Sequence, residues 1–267
     1  MELGDLSKDS NIPDYAKDLI SSYIDSHEAY EKQIEAANQR KTYFLRSASH
    51  DINNCLSAIL GSVQGAMGHD LLIDVQEDLR ITLEAGRHIG DLTRNLLDID
   101  KIEKGGLVLY MEKFYLEGGF RFVKYHHKNA AESKGLSLSY DPLSEDINKM
   151  IMTNPFRVKQ ILCNLVGNSV KFTDEGSVVF GANKKDESTL EFYVHDTGMG
   201  IPSDFKDKIF DPYFQVGNHK GRAYGGSGIG LSIIKDIVDI MGGSIRVASE
   251  LDKGASFFFT IPYHPVK

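Results

Sequence analysis

Residues 164–172 read NLVGNSVKF, and this stretch decides the interpretation of the second half of the chain. Asn164, Asn168 and Lys171 recur at steps of four and three, so they share one face of a helix predicted over residues 157–172. Two amides and an ammonium group suit a metal–phosphate complex, because amide oxygens are hard ligands for Mg²⁺. Taken alone, the same face could also be an ordinary exposed polar surface.

Residues 196–200 read DTGMG and follow a predicted strand at residues 190–195. Alternate residues of that strand are apolar until Asp196, and a carboxylate at the end of a buried strand needs a donor. The amino group of adenine is one candidate. Gly198 and Gly200 would let the backbone pass close to a flat ring. A lone DxGxG pattern is weak evidence, since many turns match it.

Residues 225–232 read GGSGIGLS and lead into a helix predicted over residues 231–241. Backbone N–H groups of such a loop, with a helix N-terminus behind them, can hold phosphate oxygens. The partial match to GxGxxG does not indicate a Rossmann fold, because no strand precedes it. The loop also lacks the GK[ST] ending of a P-loop. A last cluster, GASF at residues 254–257, forms a turn of small residues before the final strand.

The order of these motifs is more specific than any one of them. An Asn-box, DxGxG, FDPYF at residues 210–214, GxGxGL and GxSF together resemble the ATP-binding domain of histidine kinases. That domain has the Bergerat fold, which it shares with gyrase, Hsp90 and MutL. The resemblance covers residues 107–267 and implies a sheet with helices on one face. It also implies a mobile lid over ATP, here at residues 202–225.

The resemblance implies a role for individual residues. Asn168 would chelate Mg²⁺, Asp196 would bind the adenine amino group, and Lys171 would contact phosphate, with Arg222 in the lid as a weaker phosphate candidate. The other implied ATP-binding residues are Asn164, Gly198, Gly200, Phe210, Gly226, Gly228, Gly230 and Leu231.

Asn164 separates two branches of this family. In the ATP-hydrolysing members, the residue four before the Mg²⁺-binding asparagine is usually a glutamate that activates water. An amide cannot act as a general base at neutral pH, so rapid ATP hydrolysis is disfavoured. The sequence therefore points to a phosphotransferase whose acceptor lies elsewhere in the chain.

Residues 49–54, SHDINN, resemble the H-box of the same family. Neutral imidazole is a competent nucleophile near neutral pH, so His50 is the predicted phosphoryl acceptor, pointing away from the bundle core. Asp51 would take the proton of the other ring nitrogen, and Asn54 could orient a water for the reverse, phosphatase reaction. Cys55 stands where many family members have a proline, which predicts a straighter helix here.

The first hundred residues are predicted to be almost wholly helical. Apolar residues recur at steps of three and four over residues 45–66 and again over residues 72–99, with a break at residues 68–70 and an end at Gly105-Gly106. Two such helices cannot cover all of each other's apolar faces. Pairing two hairpins into a four-helix bundle would do so, which predicts a homodimer.

The expected fold is α+β with two domains: a helical hairpin forming a dimeric four-helix bundle, followed by an α/β sandwich ATP-binding domain of the Bergerat type. Residues 1–40 are predicted to be a signalling helix or coiled-coil lead-in, 41–106 the dimerisation and histidine phosphotransfer domain, and 107–267 the catalytic domain. Within the last, strands are predicted at residues 107–116, 136–140, 177–182, 190–195, 244–248 and 256–262, and a helix at 120–134.

The net charge, the cysteine count and the lengths of the apolar runs argue against several other classes of protein. A net charge of −8 over 267 residues argues against nucleic-acid binding. Two cysteines, Cys55 and Cys163, cannot form a disulfide framework or a four-ligand zinc site, and favour a reducing cytoplasm. No apolar run approaches the roughly 20 residues that span a bilayer. If the chain belongs to a membrane receptor, its sensor or membrane domain lies outside these residues.

The sequence thus predicts a cytoplasmic, ATP- and Mg²⁺-dependent histidine autokinase. It would pass the phosphoryl group from His50 to an aspartate in the receiver domain of a response regulator. Two alternatives stay open: a signalling scaffold that binds ATP without transferring phosphate, and an ATPase machine of the Bergerat fold. Asn164 and the H-box disfavour the ATPase.

Overall fold

The computed structural model describes residues 13–68, 72–147, 149–212, 214 and 228–266. For part of the first two helices, including residues 36–51, only the backbone is described. The chain divides into two compact units, Met1–Ser57 and Ala58–Lys267, with the division inside the first helix. No helix in the described part of the chain combines the length and hydropathy that a membrane span requires.

Two long helices form the N-terminal part of the chain. Helix α1 spans Asp14–Gly68 and helix α2 spans Leu72–Glu103. The predicted break at residues 68–70 falls mainly on residues 69–71, which lie outside the described residues. The predicted end of the second helix is confirmed, because Gly105 adopts a φ of 62° and the N–H of Gly106 turns back to the carbonyl of Lys101 at 2.8 Å.

The remaining chain folds into helices on one face of a sheet. The helices are α3 (Leu116–Ser133), α4 (Pro155–Phe172) and α5 (Gly230–Ile240). The strands are β1 (Glu112–Tyr115), β2 (Ser137–Tyr140), β3 (Met150–Thr153), β4 (Ser177–Asp186), β5 (Thr189–Asp196), β6 (Ile245–Ser249) and β7 (Ala255–Pro262). The main sheet has the order β2-β4-β5-β7-β6, and β1 pairs separately with β3.

Aromatic side chains fill the space between the helices and the sheet. Phe192 of β5 stacks on Phe259 of β7 with ring centroids 4.7 Å apart, and Phe120 of α3 meets Phe180 edge to face at 5.7 Å. All four are fully buried. Only β2–β4 is parallel; the other pairs of the main sheet are antiparallel. The predicted α+β class is confirmed, whereas the dimeric bundle remains a prediction.

Two predicted boundaries near the start of this domain were wrong, and one strand was missed. The strand predicted at residues 107–116 is confined to Glu112–Tyr115, because its partner β3 offers only four residues. Strand β3 itself was not predicted. Helix α3 begins at Leu116 rather than Phe120, and its Gly119 is needed for packing, since a Cβ there would lie 2.3 Å from Cζ of Phe114.

Candidate active site

Helix α4 is anchored at both ends, which fixes the side chains on its polar face. At its start, the side-chain oxygen of Asn154 accepts from the N–H of Arg157 at 3.0 Å, and Pro155 supplies the first helical residue. At its end, Nζ of Lys134 donates to the carbonyls of Val170, Lys171 and Thr173 at 2.7–3.0 Å. These bonds satisfy carbonyls that a helix end leaves without intrahelical partners.

The two predicted amides of α4 lie together and next to the glycine loop. Nδ2 of Asn168 donates to Oδ1 of Asn164 at 3.0 Å, and both side chains are half-buried. A Cβ at Gly230 would lie 2.7 Å from Nδ2 of Asn164, so glycine at the start of α5 leaves the room that this amide occupies. The structure therefore brings the Asn-box and the GxGxGL motif into one site.

The same arrangement fits a hard divalent cation. With its Nδ2 bonded to Asn164, Asn168 leaves its oxygen Oδ1 without a hydrogen bond from the described residues. An amide oxygen of this kind can ligate Mg²⁺, which usually keeps several waters and takes further oxygens from nucleotide phosphates. Asn168 would hold the ion, and the ion would neutralise charge on the phosphates.

Asp196 joins three of the sequence motifs through one carboxylate. Oδ1 accepts from the backbone N–H groups of Gly198 and Ala255, each at 3.0 Å. Oδ2 accepts from the hydroxyl of Ser169 at 2.9 Å. The Asn-box, DxGxG and GxSF segments thus meet at this side chain. A carboxylate oxygen has two acceptor positions, so Oδ2 keeps one for a further donor.

The glycines after Asp196 allow close contacts within the protein. A Cβ at Gly198 would lie 2.5 Å from the carbonyl oxygen of Phe172. Gly200 has a φ of 68°, and a Cβ there would lie 2.0 Å from the carbonyl oxygen of Glu250. The close approaches that the structure contains are therefore between backbone segments. They draw the DxGxG turn against α4 and the β6–β7 connection.

The other predicted ATP-binding residues fall into two groups. Phe210 is buried in a 3₁₀ turn at Lys208–Phe210, and Gly228 precedes the start of α5 with a φ of 67°. Leu231 lies in the first turn of α5, and Nζ of Lys171 lies 5.1 Å from the centroid of the Phe172 ring. Arg222, Gly226 and half of the predicted lid, residues 213 and 215–225, lie outside the described residues.

Two groups of contacts were missed by the sequence analysis. Ser169 carries no signal of its own, because a hydroxyl beside an Asn-box looks like any helical serine. The second group is the buried cluster of Asp98, Arg157 and Gln160, in which Nη1 of Arg157 donates to Oδ2 of Asp98 at 2.8 Å. Its members lie 59 and 62 residues apart, beyond the reach of any local pattern.

The predicted acceptor lies on helix α1, which runs without interruption through Cys55. The side chains of His50 and Asp51 lie outside the described residues, so their predicted orientation is untested. Asn54 is exposed, one helical turn beyond His50. Cys55, in the place of the usual proline, is buried with 8% of its surface exposed.

Comparison with known proteins gives independent evidence on the family of this chain. Residues 40–105 match the model of the His Kinase A (phospho-acceptor) domain, and residues 153–265 match that of the histidine kinase-, DNA gyrase B- and HSP90-like ATPases. Both predicted halves are thus found, in the expected order. The chain belongs to the histidine kinase family.

Two curated relatives of this histidine kinase are sensor proteins. The chain is 33% identical over 236 residues to the autoinducer 2 sensor kinase/phosphatase LuxQ of Vibrio parahaemolyticus, covering 86% of the chain and 27% of that protein. It is 31% identical over 239 residues to the aerobic respiration control sensor protein ArcB of Escherichia coli, covering 89% of the chain and 31% of ArcB. The chain therefore spans about a third or less of the length of these relatives.

A solved structure shows the same architecture. Full-length ShkA in complex with AMPPNP superimposes with a TM-score of 0.61 at 27% identity, over 86% of this chain and 46% of ShkA. The superposition covers 86% of this histidine kinase, whereas the ATPase domain model matches fewer than half of its residues. The structural similarity therefore extends beyond the ATPase domain.

Proposed function

We propose that this histidine kinase binds ATP with Mg²⁺ and transfers the γ-phosphoryl group to His50. The observation that carries the proposal is the Asp196 carboxylate, which draws the Asn-box, DxGxG and GxSF segments together and keeps one acceptor position open. Asn168 stands on the same helix with an oxygen suited to the metal. The AMPPNP complex of ShkA, an adenine nucleotide complex of a similar protein, supports the same ligand class.

The transfer would proceed by nucleophilic attack of one imidazole nitrogen of His50 on the γ-phosphorus, with ADP as the leaving group. The proton of the other ring nitrogen would pass to Asp51 or stay on an imidazolium that Asp51 stabilises. Positioning and neutralisation of charge account for most catalysis in phosphoryl transfer. Asn168 would serve this step through the metal, and Lys171 through phosphate contact.

Labelling with γ-phosphate-labelled ATP tests this proposal against both alternatives. The chain should acquire acid-labile, alkali-stable label that requires Mg²⁺ and disappears in His50→Gln. Asn168→Ala should lose label although His50 is intact. ATP binding without label would favour the scaffold, and phosphate release without label would favour the ATPase.

We further propose that the phosphoryl group moves from His50 to an aspartate of a response regulator. The phospho-acceptor domain at residues 40–105 and the sensor kinases among the relatives support this partner. The chain would act in the cytoplasm, where ATP is available. Three parts are proposed: a lead-in at residues 1–40, the phosphotransfer domain at 41–106 and the catalytic domain at 107–267.

One observation favours a second activity, removal of phosphate from the same regulator. Asn54 is exposed one turn from His50, where its amide can orient a water, and LuxQ is named a kinase/phosphatase. Asn54→Ala should slow dephosphorylation of a phosphorylated receiver domain while autophosphorylation persists. Equal loss of both rates would contradict a specific role in water positioning.

A further inference from the structure

Ser169 is a buried residue of the candidate nucleotide site, and it is hydrogen-bonded to Asp196. It lies on α4 directly after Asn168, and only 2% of its surface is exposed. Its hydroxyl donates to Oδ2 of Asp196 at 2.9 Å. Its carbonyl accepts from both the N–H and the hydroxyl of Thr173, at 3.1 and 2.7 Å, so the backbone of Ser169 is held firmly in the helix.

The bonds to Asp196 are divided between two kinds of donor. Both donors to Oδ1 are backbone N–H groups, which no side-chain substitution removes. Among the described residues, the only donor to Oδ2 is the hydroxyl of Ser169. Ser169 therefore holds Oδ2, and together with the two N–H groups on Oδ1 it sets the plane of the carboxylate and the direction of the acceptor position that Oδ2 keeps open.

We propose that Ser169 is a positioning residue that gives the nucleotide site its preference for a purine with an amino group at position 6. The inference rests on the proposed binding of ATP. With Oδ2 held by Ser169, its second acceptor position faces a base that must supply a donor. A 6-amino group supplies one, whereas a 6-oxo group would place an acceptor against an acceptor, an arrangement that a buried polar site rejects strongly.

The test compares purine nucleotides that differ at this position; the purine riboside nucleotide differs from ATP there alone, and GTP also carries a 2-amino group. Equilibrium binding with Mg²⁺ would be measured for ATP, GTP and the triphosphate of purine riboside, which has hydrogen at position 6. In Ser169→Ala, ATP affinity should fall by about fivefold to tenfold, within the range expected when one typical hydrogen bond is weakened or lost. Affinity for the 6-hydrogen analogue should change less than about twofold, because it makes no bond to Asp196.

A matched control removes a buried hydroxyl elsewhere. Thr260 is 7% exposed, and its hydroxyl accepts from the N–H of Ser244 at 2.9 Å, five residues along β7 from Ala255. Thr260→Val should keep the ratio of ATP to analogue affinity, and thermal melts of both variants would show that the domain is folded. If folded Ser169→Ala keeps the ratio of ATP to analogue affinity of the unmodified chain, whether both affinities stay constant or fall equally, the inference is overturned.

Failure of the inference can be told apart from failure of the proposed function. If the unmodified chain binds none of the three nucleotides, the proposed function itself is wrong. If it binds ATP more tightly than GTP, and Ser169→Ala keeps that preference, only the role of Ser169 is wrong.

Discussion

His195 lies next to Asp196 on β5, but its side chain is on the face of the sheet opposite to α3, α4 and α5. Its ring stacks on Tyr193 with centroids 4.8 Å apart and meets Phe258 edge on at 5.4 Å. Nδ1 is buried and has no hydrogen-bond partner among the described residues. Burial lowers the pKa of His195, and the carboxylates of Asp141 and Asp196 oppose that effect only in part.

This lowered pKa predicts a pH dependence of stability. Below about pH 6.5 the unfolded chain binds a proton at this position more readily than the folded chain. The free energy of unfolding should therefore fall as the pH decreases from about 6.5 toward the folded-state pKa. In His195→Gln, which cannot take up that proton, thermal melts between pH 7 and pH 5 should show a smaller decrease in Tm.

The groups around His195 define the control for this experiment. The charged groups that act on the imidazole are the carboxylates of Asp196 on β5 and of Asp141, which follows β2 and accepts from the hydroxyl of Tyr193 at 2.6 Å. Replacing His264, which is exposed, with glutamine should keep the decrease in Tm of the unmodified chain. A decrease of unchanged size in His195→Gln would contradict the assignment.

At the scale of elements, the buried cluster of Asp98, Arg157 and Gln160 joins α2 to α4, and its charges depend on one another for stability. Asp98 and Arg157 are 6% and 7% exposed, and Gln160 bridges them by accepting from Arg157 at 2.6 Å and donating to Asp98 at 2.8 Å. Asp98→Ala would leave a buried guanidinium without its counter-charge, which costs about 3–5 kcal/mol. Denaturant titration should show that loss in the free energy of unfolding.

A surface pair at the C-terminal end of α2 provides the comparison. Asp100 and Lys104 form an ion pair at 2.6 Å, but their side chains are 58% and 72% exposed. Asp100→Ala should therefore cost less than about 1 kcal/mol. The double variant Asp98→Leu, Arg157→Met should recover much of the lost stability, since no buried charge is left unpaired. Equal effects of Asp98→Ala and Asp100→Ala would refute the burial argument.

Elements with a local signal were predictable from the sequence. Helix α4 and strand β5 were placed within two residues, because helical spacing and strict alternation are local patterns. Strand β3 was missed because its four residues, MIMT, do not alternate and pair with β1 from 35 or more positions away. Residues 107–111 are apolar in part but find no strand partner, which only the tertiary structure decides.

The residues of the candidate site likewise fall into those that the sequence could predict and those that it could not. The order of the motifs was sufficient to select Asn164, Asn168 and Asp196, which the structure places in neighbouring positions. The donors to Asp196 could not be selected, because two are backbone N–H groups and the third is a serine without any pattern around it. Hydrogen bonds across 27 and 59 residues depend on the packing of α4 against β5 and β7.

At the scale of the whole molecule, the apolar residues of the two long helices require a partner. Val63 and Leu79, both on the predicted seam, are 43% and 57% exposed in the single chain, and Leu60 is 54% exposed. Apolar groups repeated along helices are costly to leave in water. We expect the chain to form a homodimer through α1 and α2, with a mass twice 29.7 kDa in light scattering at micromolar concentration.

Introducing a charge on this surface should separate the protomers. Leu79→Asp places a carboxylate in the predicted seam, where burial against a second chain would desolvate it. The variant should elute as a monomer, or require a much higher concentration to dimerise. Tyr125→Asp adds the same charge on α3 at a residue that is 82% exposed, and it should stay dimeric. A monomeric unmodified chain, or a Leu79→Asp variant as dimeric as Tyr125→Asp, would show that these helices do not form the interface.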